Sequence, residues 1–159
     1  MDIRIVLAEE SHLPAAGDIA VKAWTPIREV FRRELGDELY EAQFTGWQQS
    51  KRDAIAAEWK VGTAYVAMAE ERVVGFIACH LNAATKTGQI GTNAVDPDFR
   101  GQGIGPKMYE FVLQKMKEAG MKYASVITGL DDGHAPARKA YEKAGFEKGL
   151  PSIRYYKKL

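Results

Sequence analysis

The chain has 159 residues, 46% of them hydrophobic and 27% charged, a balance ordinary for a globular fold and too apolar for wholesale disorder. Twenty-two Lys and Arg against 21 Asp and Glu leave a net charge of +1, so the totals supply neither a nucleic-acid face nor an anchor for acidic lipid. The length predicts one domain over residues 1–159.

Met1 to Leu7 lacks the long apolar core of a signal peptide, and no apolar run approaches the ~20 residues of a membrane span, so a cytoplasmic location is expected. Ile3 to Ala8 reads as a first strand, and Ser11 as the N-cap of a helix running toward Trp24. Pro26 is expected to interrupt that pattern. A second helical region runs from about Asp37 to Trp59, burying Leu39, Phe44, Trp47 and Ile55. Thr63 to Ala69 and Arg72 to Leu81 read as strands of a hairpin turned at Glu70-Glu71, and Thr87 to Val95 as the next strand. Cys79 is the chain's one cysteine, which excludes an intrachain disulfide and suits a reducing compartment; its apolar neighbours make it a core thiol.

After Val95 comes Asp96-Pro97-Asp98-Phe99-Arg100-Gly101-Gln102-Gly103-Ile104-Gly105-Pro106. Ile104, Met108, Phe111, Val112 and Met116 then repeat at helical spacing, with Gly120 as the stop. Three alternating glycines at a helix start let an anion reach unpaired N–H groups at the positive end of the dipole. A nucleotide P-loop is excluded because Lys107 is followed by Met108, so no hydroxyl is placed for magnesium. A dinucleotide fingerprint fits poorly, since Pro106 takes the third glycine's place and the loop lies past the midpoint of the chain. Coenzyme A is the remaining phosphate ligand. Lys122 to Thr128 follows as a strand parallel to the previous one, through a right-handed crossover. A short helix over about Ala135 to Ala144 stops at Gly145, and two last strands are expected at Gly145 to Lys148 and Ile153 to Lys158.

Arg100, Gly103 and Gly105 match the Arg/Gln-x-x-Gly-x-Gly/Ala loop of the GCN5-related N-acetyltransferases (GNAT). Val95-Asp96-Pro97 resembles the hydrophobic-x-Pro that ends that family's fourth strand. Ala137, Tyr141, Glu142, Lys143, Gly145 and Phe146 resemble its second signature. The resemblance is most specific over about Thr87 to Phe146. It implies an α/β fold, a central mixed sheet of about six to seven strands flanked by about four helices, and an acetyl-CoA-dependent N-acetyltransferase acting on a primary amine by direct attack in a ternary complex. A small-molecule amine is the favoured acceptor; no nucleic-acid or membrane partner is implied, and a homodimer through the final strands is compatible with it. The alternative is a non-catalytic acyl-CoA-binding regulatory module, which the departures at Gln89, Pro106 and His134 keep open.

The resemblance also implies roles for individual residues. Backbone groups of Gln102, Gly103, Ile104 and Gly105, with Gly101 and Arg100 at the loop's entry, hold the pyrophosphate, and main-chain groups of Ala94 and Val95 meet the pantetheine arm. Tyr141 donates a proton to the departing thiolate, for which a phenol of pKa ~10 is suited. His134 stands where relatives carry Asn, and either touches coenzyme A or caps the short helix. Gln89 occupies the place where relatives often carry a Glu base; His80, Glu29 and Glu71 are the other candidates, with His80 preferred, and a water chain is the alternative. Asn93 is expected near the thioester. Trp24, Ile27, Arg28 and Phe31 fall in the acceptor-binding region, and Arg28 or Arg154 could recognise an acceptor carboxylate. The three His and one Cys lack metal-ligand spacing, so no metal is expected.

Overall fold

The structure, a computed structural model, describes residues 2–159. One mixed sheet carries β1 (Ile3–Leu7), β2 (Thr63–Ala69), β3 (Arg72–Asn82), β4 (Thr87–Val95) and β5 (Tyr123–Val126), side by side in chain order. The first four run antiparallel to their neighbours, and β5 is parallel to β4. Helices α1 (Leu13–Leu35), α2 (Asp37–Phe44) and α3 (Trp47–Val61) lie between β1 and β2, α4 (Ile104–Glu118) between β4 and β5, and α5 (Ala135–Lys143) after β5.

Strand β3 is buried along its whole centre, Val73 to Cys79, because helices cover both faces of the sheet. Strand alternation divides the core. Ile77, Cys79 and Ile90 pack with Ile104, Met108, Val112 and Met116 of α4 on one face. Phe76, Val66 and Ala94 pack with Ala16, Ile19, Ala20 and Ala23 of α1 and Ile55 of α3 on the other. The small residues of α1 let its backbone lie close to the sheet. Burial of the Cys79 thiol also raises its pKa, as befits a core residue.

Four expectations are corrected. Ser11 lies inside a short 3-10 turn whose capping box is made by Glu9 and His12, so α1 starts at Leu13 without a serine cap. Pro26 does not interrupt α1: Ala23 and Ile27 on either side are buried, and that packing outweighs one missing main-chain hydrogen bond. The span Asp37 to Trp59 is two helices, divided where Thr45 turns extended and Gly46 adopts a left-handed conformation at φ 74°. Residues 144–159 form no strand; Leu150, Ile153 and Tyr155 are exposed and bury nothing against β5, so the sheet has five strands and the flanking helices number five.

Two features position the cleft described below. β5 pairs with β4 only from Thr87 to Ile90 and ends at Val126, whereas β4 continues to Val95. The turn after β4 is pinned by Asp96, 3% exposed, whose carboxylate accepts hydrogen bonds from Arg72 Nη2 (3.0 Å), Lys22 Nζ (3.5 Å) and the backbone N–H of Asp98 (3.2 Å). Burial opposes ionisation of Asp96, but these donors outweigh it and hold its pKa below the usual value of 3.8.

Replacing Phe76, fully buried between sheet and α1, by Ala is expected to cost about 3–5 kcal/mol in urea unfolding. Asp96→Asn is expected to lose ~1–3 kcal/mol near neutral pH. Because the folded-state pKa of Asp96 is depressed, its contribution is present above the unfolded value and disappears as pH falls through the folded one. The gap between wild type and Asp96→Asn should therefore close in acid, as read from unfolding midpoints across pH.

Candidate active site

The unequal lengths of β4 and β5 open a cleft of about 1610 Å³, walled by α1 and α3 on one side and by the start of α5 on the other. Past Ile90, β4 has no partner on its outer edge. Asp96 N–H bonds back to Val74 O at 2.9 Å on β3, so the alternation of backbone groups turns the N–H of Val95 toward the open side. Ala94 and Val95 both line the cleft.

At the end of β4 the glycine loop leads into α4. Gly103 is the N-cap, left-handed at φ 77°, and Gly101 is left-handed at φ 78°. The first α4 N–H to find a carbonyl is that of Lys107, on Gly103 O at 3.2 Å. The N–H groups of Gly103, Ile104 and Gly105 thus belong to the unpaired first turn. Pro106 removes the fourth donor without breaking an intrahelical bond. A Cβ built on Gly101 or Gly103 would meet nothing within 4 Å, so space lies open against the main chain. Where β5 ends, the buried Thr128 hydroxyl in the cleft wall has no partner. Free donors at a helix start, an open strand edge and an orphan hydroxyl along one wall fit an elongated ligand with a phosphate end and an amide-bearing arm.

Tyr141 comes from α5, is 7% exposed and reaches β4 across the cleft floor. Asn93 Nδ2 donates to Tyr141 Oη at 3.0 Å, and Tyr109 Oη donates to Asn93 Oδ1 at 3.0 Å. The two tyrosine rings lie 5.4 Å apart between centroids. Burial raises the pKa of Tyr141 above 10.0, though the hydrogen bonds with Asn93 and Tyr109 pull the other way; burial also raises that of Tyr109. Tyr141 is therefore a protonated phenol throughout the neutral range.

Sequence reasoning singled out His80 but missed Glu58 and Thr92, the partners that make a second cluster with it. A bulge in β4 places Gly91 and Thr92 opposite Ala78 of β3, and the freed Thr92 N–H donates to both oxygens of Glu58 at 3.2 Å. Glu58, near the end of α3, also meets His80 Nε2 at 2.9 Å. A Cβ on Gly91 would lie 2.1 Å from Glu58 Oε1, so only glycine leaves room for this arrangement. Burial opposes the charge of Glu58, yet the bonds from His80 and Thr92 win and its pKa is lowered. Glu58 lines the cleft, whereas His80 stands behind it as its partner. Lys51, Ile55 and Glu58 share a face of α3 at spacings of four and three, a helical signal open to view in the sequence.

The remaining candidates divide. Trp24, Glu29 and Gln89 line the cleft, as does the loop from Arg100 through Gly101, Gly103, Ile104 and Gly105. Arg28 and Phe31 lie in an aromatic group with Phe44 and Trp47, beside the cleft wall formed by α1. Glu71 is exposed in the β2–β3 turn, and Arg154 is exposed in the irregular C-terminal segment; neither lines the cleft. His134 lines it and meets Asp131 Oδ2 through Nδ1 at 2.7 Å. Its side chain caps no helix, since Asp131 provides the cap of the preceding turn. Among the described residues, no three His, Cys, Asp or Glu side chains gather where they could hold a metal ion.

Known proteins share this fold. The structure superposes on PaiA N-acetyltransferase from Thermoplasma acidophilum, solved in complex with coenzyme A, with a TM-score of 0.71 at 17% identity, over 92% of this chain and 91% of that one. With PH1933 from Pyrococcus horikoshii the TM-score is 0.72 at 24% identity, over 96% and 93% of the two chains. In sequence the chain is 30% identical over 95 residues to N-alpha-acetyltransferase 30 of Schizosaccharomyces pombe, a match covering 58% of this chain and 62% of that protein. It is 31% identical over 94 residues to mycothiol acetyltransferase of Saccharomonospora viridis, covering 55% and 30%. The matched stretch thus spans under two thirds of either relative. The model of the acetyltransferase (GNAT) family matches residues 30–146, well over half the chain and including both α3 and the Tyr141 helix, and the chain belongs to that family.

Proposed function

We propose that residues 1–159 act as one acetyl-CoA-dependent N-acetyltransferase domain that acetylates a primary amine of a small molecule by direct attack in a ternary complex. The observation that carries this reading is the convergence, in one cleft, of the glycine-started helix α4, the unpaired edge of β4 and the buried hydroxyl of Tyr141. Membership of the acetyltransferase family supports it, as do the relatives named as N-acetyltransferases and the structural neighbour in complex with coenzyme A.

Acetyl-CoA, when bound, supplies an activated acetyl thioester. Backbone N–H groups of Gln102, Gly103, Ile104 and Gly105 hold the phosphate end, with Arg100 adding charge at the loop's entry. Main-chain groups at Ala94 and Val95 complete the open edge of β4 and orient the arm, and the Val95 N–H is a preset donor for a carbonyl oxygen. His134, held by Asp131, contacts the ligand from the opposite wall.

An alkylamine of pKa ~10.4 is mostly protonated at neutral pH and must lose a proton before it attacks. Glu58 is the carboxylate that lines the cleft with its orientation fixed, by Thr92 and His80, and takes up that proton. His80 acts through Glu58 as a positioning residue. Tyr141 Oη, oriented by Asn93, gives a proton to the departing sulfur.

Tyr141→Phe is expected to lower kcat by roughly 10²-fold or more while acetyl-CoA affinity by calorimetry stays within about twofold. An unchanged kcat would remove Tyr141 from the chemistry, and acetyl-CoA binding without transfer to any amine would favour a regulatory module. Glu58→Gln should lower kcat comparably, and raising pH should partly restore it as free amine accumulates. With Tyr141 shifted above 10.0 and Glu58 below 4.5, kcat at saturating acceptor should show no descending limb between about pH 7 and 9. Such a limb would assign the proton donor to another group.

A further inference from the structure

Seven cations stand on α1 and α3, and most have found an acid. Lys22 pairs with Asp96 and Asp98, Arg32 with Asp37 and Glu41, Arg33 with Glu34 and Asp132, and Arg52 with Asp18. Lys60 is exposed. Arg28 and Lys51 differ: both are half-buried, and neither enters an ion pair among the described residues. Aromatic faces hold them instead. Lys51 Nζ lies 3.7 Å from the ring centroid of Trp24, and both side chains line the cleft. The Arg28 guanidinium lies 4.6 Å from the ring centroid of Phe44 and 5.3 Å from that of Trp47, and its Nε is buried with no partner.

Two neighbouring cations without a counter-ion are costly in a partly dry wall, and the ionisation of both shows it. Burial, then the charge of Arg28, pulls Lys51 down to about 8, against a partial offset from Glu58; burial lowers Arg28 as well. Glu58 stands two helical turns beyond Lys51 on the same face of α3, where it holds the negative end of this wall. The acceptor side of the cleft is therefore bipolar: a carboxylate next to the β4 bulge and an unneutralised cation pair farther from it.

We infer that the acceptor is a small amino acid whose free carboxylate is recognised by Lys51, backed by Arg28, while its amine is presented to Glu58. This rests on the acetyltransferase reading above and narrows its acceptor class. Trp24 fits the same role: its ring holds the Lys51 ammonium at 3.7 Å, and both side chains line the cleft. A neutral or purely cationic amine would leave the pair uncompensated, and a polyamine would be repelled by it. Lys51 is thus a specificity-determining residue rather than a group that moves protons.

The test uses the full chain, acetyl-CoA, and two matched panels: the common amino acids and their carboxamides, read by thiol release and product mass. At least one amino acid should be acetylated with kcat/KM about tenfold or more above its own amide, the worth of one charge-assisted contact. Lys51→Met, which keeps the volume of the side chain, should bring acid and amide to within about twofold of each other, chiefly through KM, with acetyl-CoA affinity and thermal midpoint retained. Amides acetylated as well as acids, or a preference that survives Lys51→Met and Arg28→Met alike, overturns the inference and leaves the acetyltransferase reading intact. Binding of acetyl-CoA with no amine of either panel acetylated overturns the inference alone, and failure to bind acetyl-CoA overturns both.

Discussion

The parting of β4 from β5 is the constraint on which the rest of the molecule depends. A parallel pair satisfies its backbone groups only while both strands last, and here β5 stops at Val126 while β4 runs on to Val95. The strand edge left over would be a liability at a protein surface. It is tolerable because it lies in a cleft between two helical layers, where a ligand can complete it. The bulge at Gly91 and Thr92 belongs to the same solution: it bends β4 at the point of parting and releases an N–H that Glu58 takes up.

Polar groups around the cleft are sorted into separate networks. Tyr109, Asn93 and Tyr141 form a neutral chain in which burial keeps both phenols protonated. Glu58, His80 and Thr92 form a second, whose donors keep the carboxylate ionised despite its burial. Asn93 and Thr92 are adjacent in β4, yet they serve different networks: the Asn93 side chain reaches Tyr141, whereas the Thr92 N–H freed by the bulge reaches Glu58. Asp96, two residues after Ala94, ties this strand end to α1 and β3 and fixes where the glycine loop begins.

Much of this was legible in the chain. The hydrophobic periods located every strand from β1 to β5 and the helices that flank β4 and β5, because those segments bury one face or both and their patterns are local. The glycine loop was equally plain, since left-handed residues at a helix start demand glycine at Gly103 and Gly101. Tyr141 was found through a sequence signature, and its buried place beside Asn93 gives that signature a physical meaning. The errors came where packing overrode a local rule. Pro26 stays inside α1 because its neighbours are buried, and Ile153 and Tyr155, which flank Arg154 in a strand-like alternation, are exposed and join no strand.

Sequence by itself determined the order of the five strands, the anion-ready start of α4 and the signature that carries Tyr141, because each is written in residues close together along the chain. Only the tertiary structure decided which charges work in the cleft. Glu58, His80 and Thr92 are separated by 22 and 34 residues along the chain, and Lys51 and Arg28 lie on different helices. Local pattern makes Glu58, Thr92 and Lys51 ordinary polar residues and marks His80 and Arg28 as candidates without their partners. Their chemistry arises from burial and from the partners each one gains or lacks, and both are properties of the folded chain.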